Sequence, residues 1–360
     1  MTNIPRRAFL AGTAASGVAL AASFPKPAIA ANTIQWTMAL AWQELMPGFA
    51  SGAKRLAKRI AELSDGQLEI KVSNVDDIVS DKGIFDAVAK NTVEMGHSLS
   101  CYWQNKSRAM SFFSGVPGGF TAQEQNGWLY FGGGKNLWDE LYAQFGLIAF
   151  PAGNTGYKIG GWFNQKVSSI SDFKDLKIRM PGLAGDVLKE FGSTIKTIEP
   201  QELFTSLQSG IVDGLEWAGP WSDMALGFHR VSKYYYWPSF SGGGATLELV
   251  INKKAFDNLP KNLQQIVKVA CMAENDSLTA EFHANNIHAF NVLKYKHKID
   301  IRKYSDSVSK SLFEASKDVV ASVAKAGGLE KRIYESYEEY RKYTLEMANY
   351  SDMQFIKERV

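Results

Sequence analysis

Between Thr33 and Val72 the chain commits to one arrangement above all others. Ile34, Trp36, Met38 and Leu40 alternate with less apolar residues and share one strand face. Ser51 to Leu63 then reads as a helix, with Leu56, Ile60 and Leu63 on its apolar stripe. Lys54, Arg55, Lys58 and Arg59 fall largely off that stripe, as on a solvated face. Gly66 ends the helix, and Leu68, Ile70 and Val72 alternate again. A strand, a crossover helix and a second strand at this spacing form a βαβ unit, which predicts an α/β fold with a largely parallel sheet.

The rest of the chain repeats that plan. Residues 84–94 (IFDAVAKNTVE) resemble residues 203–213 (LFTSLQSGIVD): a short amphipathic helix, a turn, and a strand start with an acid in the same place. A spacing of that size is far beyond a solenoid period and fits two lobes of similar design. Further strands are predicted over Leu147–Phe150, Ile159–Phe163, Leu176–Met180, Thr194–Ile198 and Ala245–Asn252. From Leu259 onward the pattern is helical: to about Asn291, from Ser307 to Ala326, and from Leu329 to Ala348. The expected organisation is lobe I over 31–155 plus about 250–298, lobe II over 156–249, and a helical C-terminal extension over 299–360. No low-complexity linker separates the lobes, so short crossings should join them as in a clamshell that hinges.

Residues 1–30 read as a targeting segment. Arg6-Arg7 precede Ala8-Phe9-Leu10, an apolar stretch runs to Phe24, and Ala28-Ile29-Ala30 offers small residues for cleavage. The twin arginine favours the Tat route, which exports folded chains, over the general secretory one. The net charge of +3 arises entirely there: without Arg6, Arg7 and Lys26, 37 basic residues face 37 acidic ones. A neutral mature chain argues against nucleic acid or an anionic membrane as its main partner. Cys101 and Cys271 are the only cysteines and are expected as free thiols.

No catalytic motif is present. There is no GxSxG elbow, Gly132-Gly133-Gly134-Lys135 is followed by Asn136 and fails the P-loop pattern, and no GxGxxG opens a helix after a strand. His283 and His288 are five apart, which puts them on different helix faces. What stands out are polar residues near the ends of apolar strands: Asn154, Arg179, Glu216 beside Trp217, and Glu248. Each could be half of a structural ion pair. Their joint placement suits a ligand site, because ligands bind outside the carboxyl ends of strands in open α/β sheets. An Arg fork there binds a carboxylate. An exported hydrolase using Glu216 and Glu248 is the competing reading, and a binding protein for an amino acid or betaine is another.

Residues 33 to about 300 resemble the extracytoplasmic solute-binding proteins of TRAP transporters, in the branch that takes 2-oxo and 2-hydroxy monocarboxylates. The segments carrying the resemblance are 113–118, 130–134, 153–163, 176–182, 212–221 and 245–254. It implies a two-lobe, periplasmic-binding-protein-like clamshell that binds and does not catalyse, working with transporter membrane subunits. It implies Arg179 on the ligand carboxylate, with Tyr102, Trp103 and Asn154 lining the pocket. It implies Glu216, the carbonyl of Trp217 and Glu248 around Na+ or Ca2+. It also implies a homodimer through the C-terminal helices, for which Phe313, Tyr334, Tyr337, Tyr340 and Tyr343 offer an aromatic face.

Two departures bear on the cation. Where the branch has Gln in Gly-Asn-Thr-Gly-x-Gln this chain has Lys158, and its His-Glu-Pro-Gly run is replaced by residues 239–243 (SFSGG). With Glu216, Glu248 and a monocarboxylate facing Arg179 alone, a closed cleft would hold two uncompensated negative charges, a costly arrangement. Lys158 could supply a cation in place of a metal, or point to solvent.

Overall fold

The computed structural model describes residues 33–44, 46–74 and 83–359; the targeting segment read over 1–30 lies outside them. Eleven strands are described: β1 (Ile34–Leu40), β2 (Leu68–Asn74), β3 (Met95–Ser98), β4 (Leu147–Asn154), β5 (Trp162–Phe163), β6 (Lys177–Arg179), β7 (Thr194–Ile195), β8 (Gly214–Leu215), β9 (Tyr234–Trp237), β10 (Thr246–Asn252) and β11 (Asp300–Lys303). They form two sheets, ordered β2-β1-β3-β10-β4 and β11-β9-β5-β8-β6-β7. The βαβ unit is as expected: β1 and β2 pair in parallel from Ile34 opposite Leu68 to Leu40 opposite Asn74, joined by the helix Phe49–Leu63.

The sheets are built on one plan. β1 has β2 and β3 on either side, both parallel, and β3 meets β10 antiparallel. In the second sheet β6 has β7 and β8 on either side, both parallel, and β8 meets β5 antiparallel. The two segments that echo each other in sequence occupy equivalent places: the helix Ile84–Ala89 leads into β3, and the helix Leu203–Gln208 leads into β8. The expectation of largely parallel sheets is corrected here. β10 is antiparallel to both neighbours, and so is β5. Both are the strands that arrive from the other lobe. A strand entering from across the cleft needs no crossover helix and is free to run against its neighbours.

Burial follows position. All residues of β3 and β10, inside the first sheet, are buried, so these strands are largely apolar and enclose His97 and Glu248 among their apolar residues. The long helix Lys261–Asn291 buries Leu263, Val267, Ala270, Cys271, Glu274, Leu278 and Phe282, one stripe at helical spacing. It packs on β4 and on the helices Phe49–Leu63 and Pro220–Ala225, so it touches both lobes. Arg55 fixes it to the first helix, donating at 2.7 Å to both Glu274 and Glu281.

Residues 299–360 are not helical throughout. β11 adds to the edge of the second sheet beside β9, and the helix Asp306–Ala321 packs on Leu183–Glu190 of that lobe. The helix Gly328–Ala348 then returns to the first lobe. Tyr337 is fully buried there, with ring centroids 4.1 Å from Phe120, 5.0 Å from Phe112 and 5.1 Å from Trp128, and its hydroxyl accepts the Phe120 N–H at 3.0 Å. Phe313, Tyr334 and Tyr340 also pack against the core. Of the aromatic residues expected to face a partner subunit, only Tyr343 is exposed; the others stabilise the chain's own lobes. Among the described residues no helix is long and apolar enough to cross a membrane.

Candidate functional site

Arg179 ends β6 and is almost fully buried. A buried guanidinium needs acceptors, and the protein supplies few. One nitrogen donates to the Glu216 carbonyl at 3.1 Å, and another lies 3.5 Å from the Tyr102 hydroxyl. Its face stacks over the Trp217 ring at 5.1 Å. Part of the planar fork is therefore left to a cavity at the meeting of the two lobes. That cavity is walled by Phe49, Tyr102 and Ser114 from the first lobe, by Arg179, Glu216 and Trp217 from the second, and by Lys158 and Ser241 from the crossing segments. The space open to the centre of a water molecule is about 40 Å³, roughly three times what one buried water requires. It suits a molecule of a few heavy atoms. An outer groove begins at the same Tyr102, Arg179 and Pro181 and runs between Asp86 and Lys106 on one side and Lys189 and Lys196 on the other.

Glu216 follows β8, and both its oxygens are occupied. Ser239 donates to Oε2 at 2.8 Å, Ser241 donates to Oε1 in a very short bond, and Lys158 Nζ sits 3.6 Å from Oε1. Lys158 Nζ is also 3.4 Å from Ser241 Oγ. Ser239 and Ser241 belong to the segment that stands where the resembling branch has His-Glu-Pro-Gly, and they and Lys158 converge on one carboxylate. Trp217 lines the cavity, and its buried indole N–H has no acceptor among the described residues. The ring lies against Phe49 and Trp42 besides Arg179, none of which offers one.

Three expected site residues lie elsewhere. Glu248 does not line the cavity. It is fully buried inside the first lobe, where Oε1 accepts from Trp103 Nε1 at 2.7 Å and Ser98 Oγ at 3.4 Å, and Oε2 accepts from the Tyr142 hydroxyl at 2.7 Å. Trp103 is thus a partner of Glu248 and reaches only the outer groove. Asn154 braces the crossing: Nδ2 donates to Thr246 Oγ1 at 3.2 Å and Oδ1 accepts the Gly156 N–H at 2.9 Å. In sequence these residues cannot be told from true lining residues, because a polar group at a strand end serves a ligand or a lobe equally well. Ser239 and Ser241 were not foreseen as partners of Glu216; their signal was the replaced run itself. Arg108 was also missed. It reaches from the first lobe to Asp186 at 2.9 Å and to Ser322 Oγ at 2.9 Å, joining the lobes beside the groove.

The loss of Glu248 from the site removes the carboxylate pair that a hydrolase would need. It also changes the charge count, for the cavity now holds two cationic side chains and one carboxylate. The residues present do not fit a bound cation either. Each oxygen of Glu216 already accepts a hydroxyl, Lys158 Nζ stands 3.6 Å from Oε1 where a cation would approach, and among the described residues no three His, Cys, Asp or Glu side chains gather to hold a metal ion.

Burial pushes Glu248 up to about 7, against the opposing pull of Trp103, Tyr142 and Ser98. The native carboxyl keeps its proton to that pH, whereas an unfolded glutamate releases it near 4.5. Over that window the native state binds more protons, so the stabilisation is complete below 4.5 and is lost as pH rises through 7. Glu248→Gln cannot ionise. Its unfolding free energy in urea should fall less than the wild type's between about pH 5 and pH 8. Asp223, raised by burial to about 6, and His97, lowered by burial to about 4, titrate in both proteins and cancel from the difference.

Comparisons with known proteins identify the family to which the chain is similar. Residues 42–326 match the family described as bacterial extracellular solute-binding protein, family 7. A monocarboxylate 2-oxoacid-binding periplasmic protein of Nostoc is 35% identical over 309 residues, covering 86% of this chain and 84% of that one. A TRAP periplasmic solute-binding protein from Pseudoalteromonas atlantica, solved with sodium and pyruvate bound, superposes with a TM-score of 0.87 at 34% identity, over 90% of this chain and 99% of that one. A TRAP solute-binding protein from Bordetella bronchiseptica, solved as a mixed-occupancy dimer with calcium and picolinate, gives a TM-score of 0.88 at 28% identity, over 91% and 97%.

Proposed function

Because this chain belongs to family 7 of the bacterial extracellular solute-binding proteins, whose members are receptors and not enzymes, we propose that it captures a small 2-oxo monocarboxylate such as pyruvate in the periplasm and delivers it to the membrane subunits of a TRAP transporter. The observation that carries this reading is Arg179, buried in a cavity of a few heavy atoms with its fork incompletely used by the protein. A carboxylate completes it with charge-assisted hydrogen bonds. The unpartnered Trp217 N–H supports an acceptor on the ligand's second carbon, which an oxo or hydroxy group provides. A zwitterion fits less well. Its cationic group would need a free carboxylate, and Glu216 is already engaged by Ser239, Ser241 and Lys158.

The test is a thermal-shift panel of organic acids, amino acids and betaines on the mature chain. A ligand that binds only the native state raises its midpoint. Pyruvate or a close 2-oxo acid should give the largest rise, lactate a smaller one, and amino acids none. A rise confined to zwitterions, or no rise at all, refutes the reading.

Export by the twin-arginine route and a homodimer belong to the same reading. The exposed apolar residues available to a dimer contact lie beyond Tyr337: Leu345 and Met347 on the helix Gly328–Ala348, Tyr350 in the turn after it, and Phe355 on the helix Asp352–Arg359. A second copy offers the same residues, as a two-fold pair requires. Light scattering at micromolar concentration should give twice the monomer mass, and truncation after Thr344 should return it to one.

A further inference from the structure

We infer that in this protein the Lys158 ammonium does the work that a bound sodium or calcium ion does in its relatives, so that it binds its carboxylate without a metal. The inference rests on the ligand class proposed above, and deepens it. Its ground is the Glu216 carboxylate. Lys158 Nζ stands 3.6 Å from Oε1 and 3.4 Å from Ser241 Oγ, Ser241 donates to the same oxygen, and Ser239 donates to the other at 2.8 Å. Lys158 itself lines the cavity and is only 14% exposed in its side chain.

Charge and coordination both oppose a metal ion there. The first is charge. With Glu248 enclosed in the first lobe, Arg179 and Lys158 face Glu216 alone, and one monocarboxylate brings the closed cavity to neutrality. A divalent or monovalent ion added to that set would leave a buried excess of positive charge, which is costly in a closed site. The second is coordination. Sodium and calcium need several oxygen ligands with free lone pairs. An ammonium has three donors and no acceptor, so it cannot be one of those ligands. Both oxygens of Glu216 already accept hydroxyl donors, and the ammonium stands where a cation would approach Oε1. The ammonium can instead turn a donor toward the ligand, taking over the bridge between Glu216 and the bound acid.

The experiment has two arms on the full mature chain. Isothermal titration with pyruvate is run in sodium-free buffer after exhaustive chelation, and again with added NaCl or CaCl2. Separately, the thermal midpoint of the ligand-free protein is read with and without CaCl2 alone. The wild type should bind pyruvate within a factor of about two in all buffers, and CaCl2 alone should leave its midpoint unmoved. Lys158→Gln should lose affinity by about tenfold or more in the chelated buffer and regain it with CaCl2, which should now raise its midpoint. Lys158→Arg, which keeps the charge, should stay independent of metal. If wild-type affinity collapses on chelation and returns with either ion, or if CaCl2 alone stabilises the wild type, the inference is overturned. A wild type that binds no 2-oxo acid in any buffer sinks the proposed ligand class. In that event the calcium arm still decides the cation question by itself.

Discussion

Arg179→Ala should weaken the proposed binding of pyruvate by roughly two to four powers of ten in Kd. The substitution leaves a carboxylate shut between two lobes without its fork, and Glu216 is the nearest charge that remains beside Lys158. Breaking a buried ion pair costs on the order of 3–5 kcal/mol, which is roughly two to four powers of ten in Kd. Arg179→Lys should fall between, since a point charge restores attraction but lacks the planar pair of donors. Fold is not at issue in this test, because Arg179 holds only one backbone carbonyl and one hydroxyl, and circular dichroism and the thermal midpoint verify it. Titration calorimetry giving Arg179→Ala within a few-fold of wild type would remove the anchor and, with it, the reading of the cavity.

Tyr337→Ala should be the most damaging change far from the cavity. The side chain is buried among Phe112, Phe120 and Trp128, and its hydroxyl satisfies the Phe120 N–H. Truncating a buried aromatic residue costs about 3–5 kcal/mol through lost transfer energy and the cavity left behind. The orphaned N–H adds about 1–3 kcal/mol unless water reaches it. The midpoint of urea unfolding should drop accordingly. Tyr337→Phe keeps the ring and should lose only the hydrogen-bond part. Equal losses for the two variants would mean that the hydroxyl, not the packing, holds the helix Gly328–Ala348 to the first lobe.

How far the sequence could be read depended on whether a signal was local. The βαβ unit at the start was legible because periods of two and of 3.6 are written into neighbouring residues. The repeated segments at Ile84 and Leu203 were legible for the same reason, and they mark equivalent strands in the two sheets. Arg179, Glu216, Trp217, Tyr102 and Lys158 do gather around one cavity. Glu248, Trp103 and Asn154 do not, and the difference is one of direction. Glu248 lies in a strand buried on both faces, where neither parity nor position tells which lobe its side chain enters. β11 was invisible because four residues of mixed polarity carry no period, and only the edge of β9 beside them makes them a strand. The tyrosines of the last long helix were read as a partner's surface. Tyr334, Tyr337 and Tyr340 instead pack on Phe112, Phe120 and Trp128, some two hundred residues earlier, a distance over which pattern has no reach.

The place of β10 between β3 and β4 has a consequence in time. The first lobe cannot close its sheet until residues 246–252 exist, because they fill its interior and not its edge. A chain emerging from the ribosome holds β3 and β4 with unpaired edges while the whole second lobe is made. Such edges are templates for aggregation, and pairings this distant in sequence form slowly. The second lobe has β5 to β9 contiguous and waits only for β11 at its rim. The lobe begun first therefore depends on a late insertion, made only after β5 to β9 of the second lobe. A chaperone that shields residues 95–154 through that interval should raise the yield of this protein.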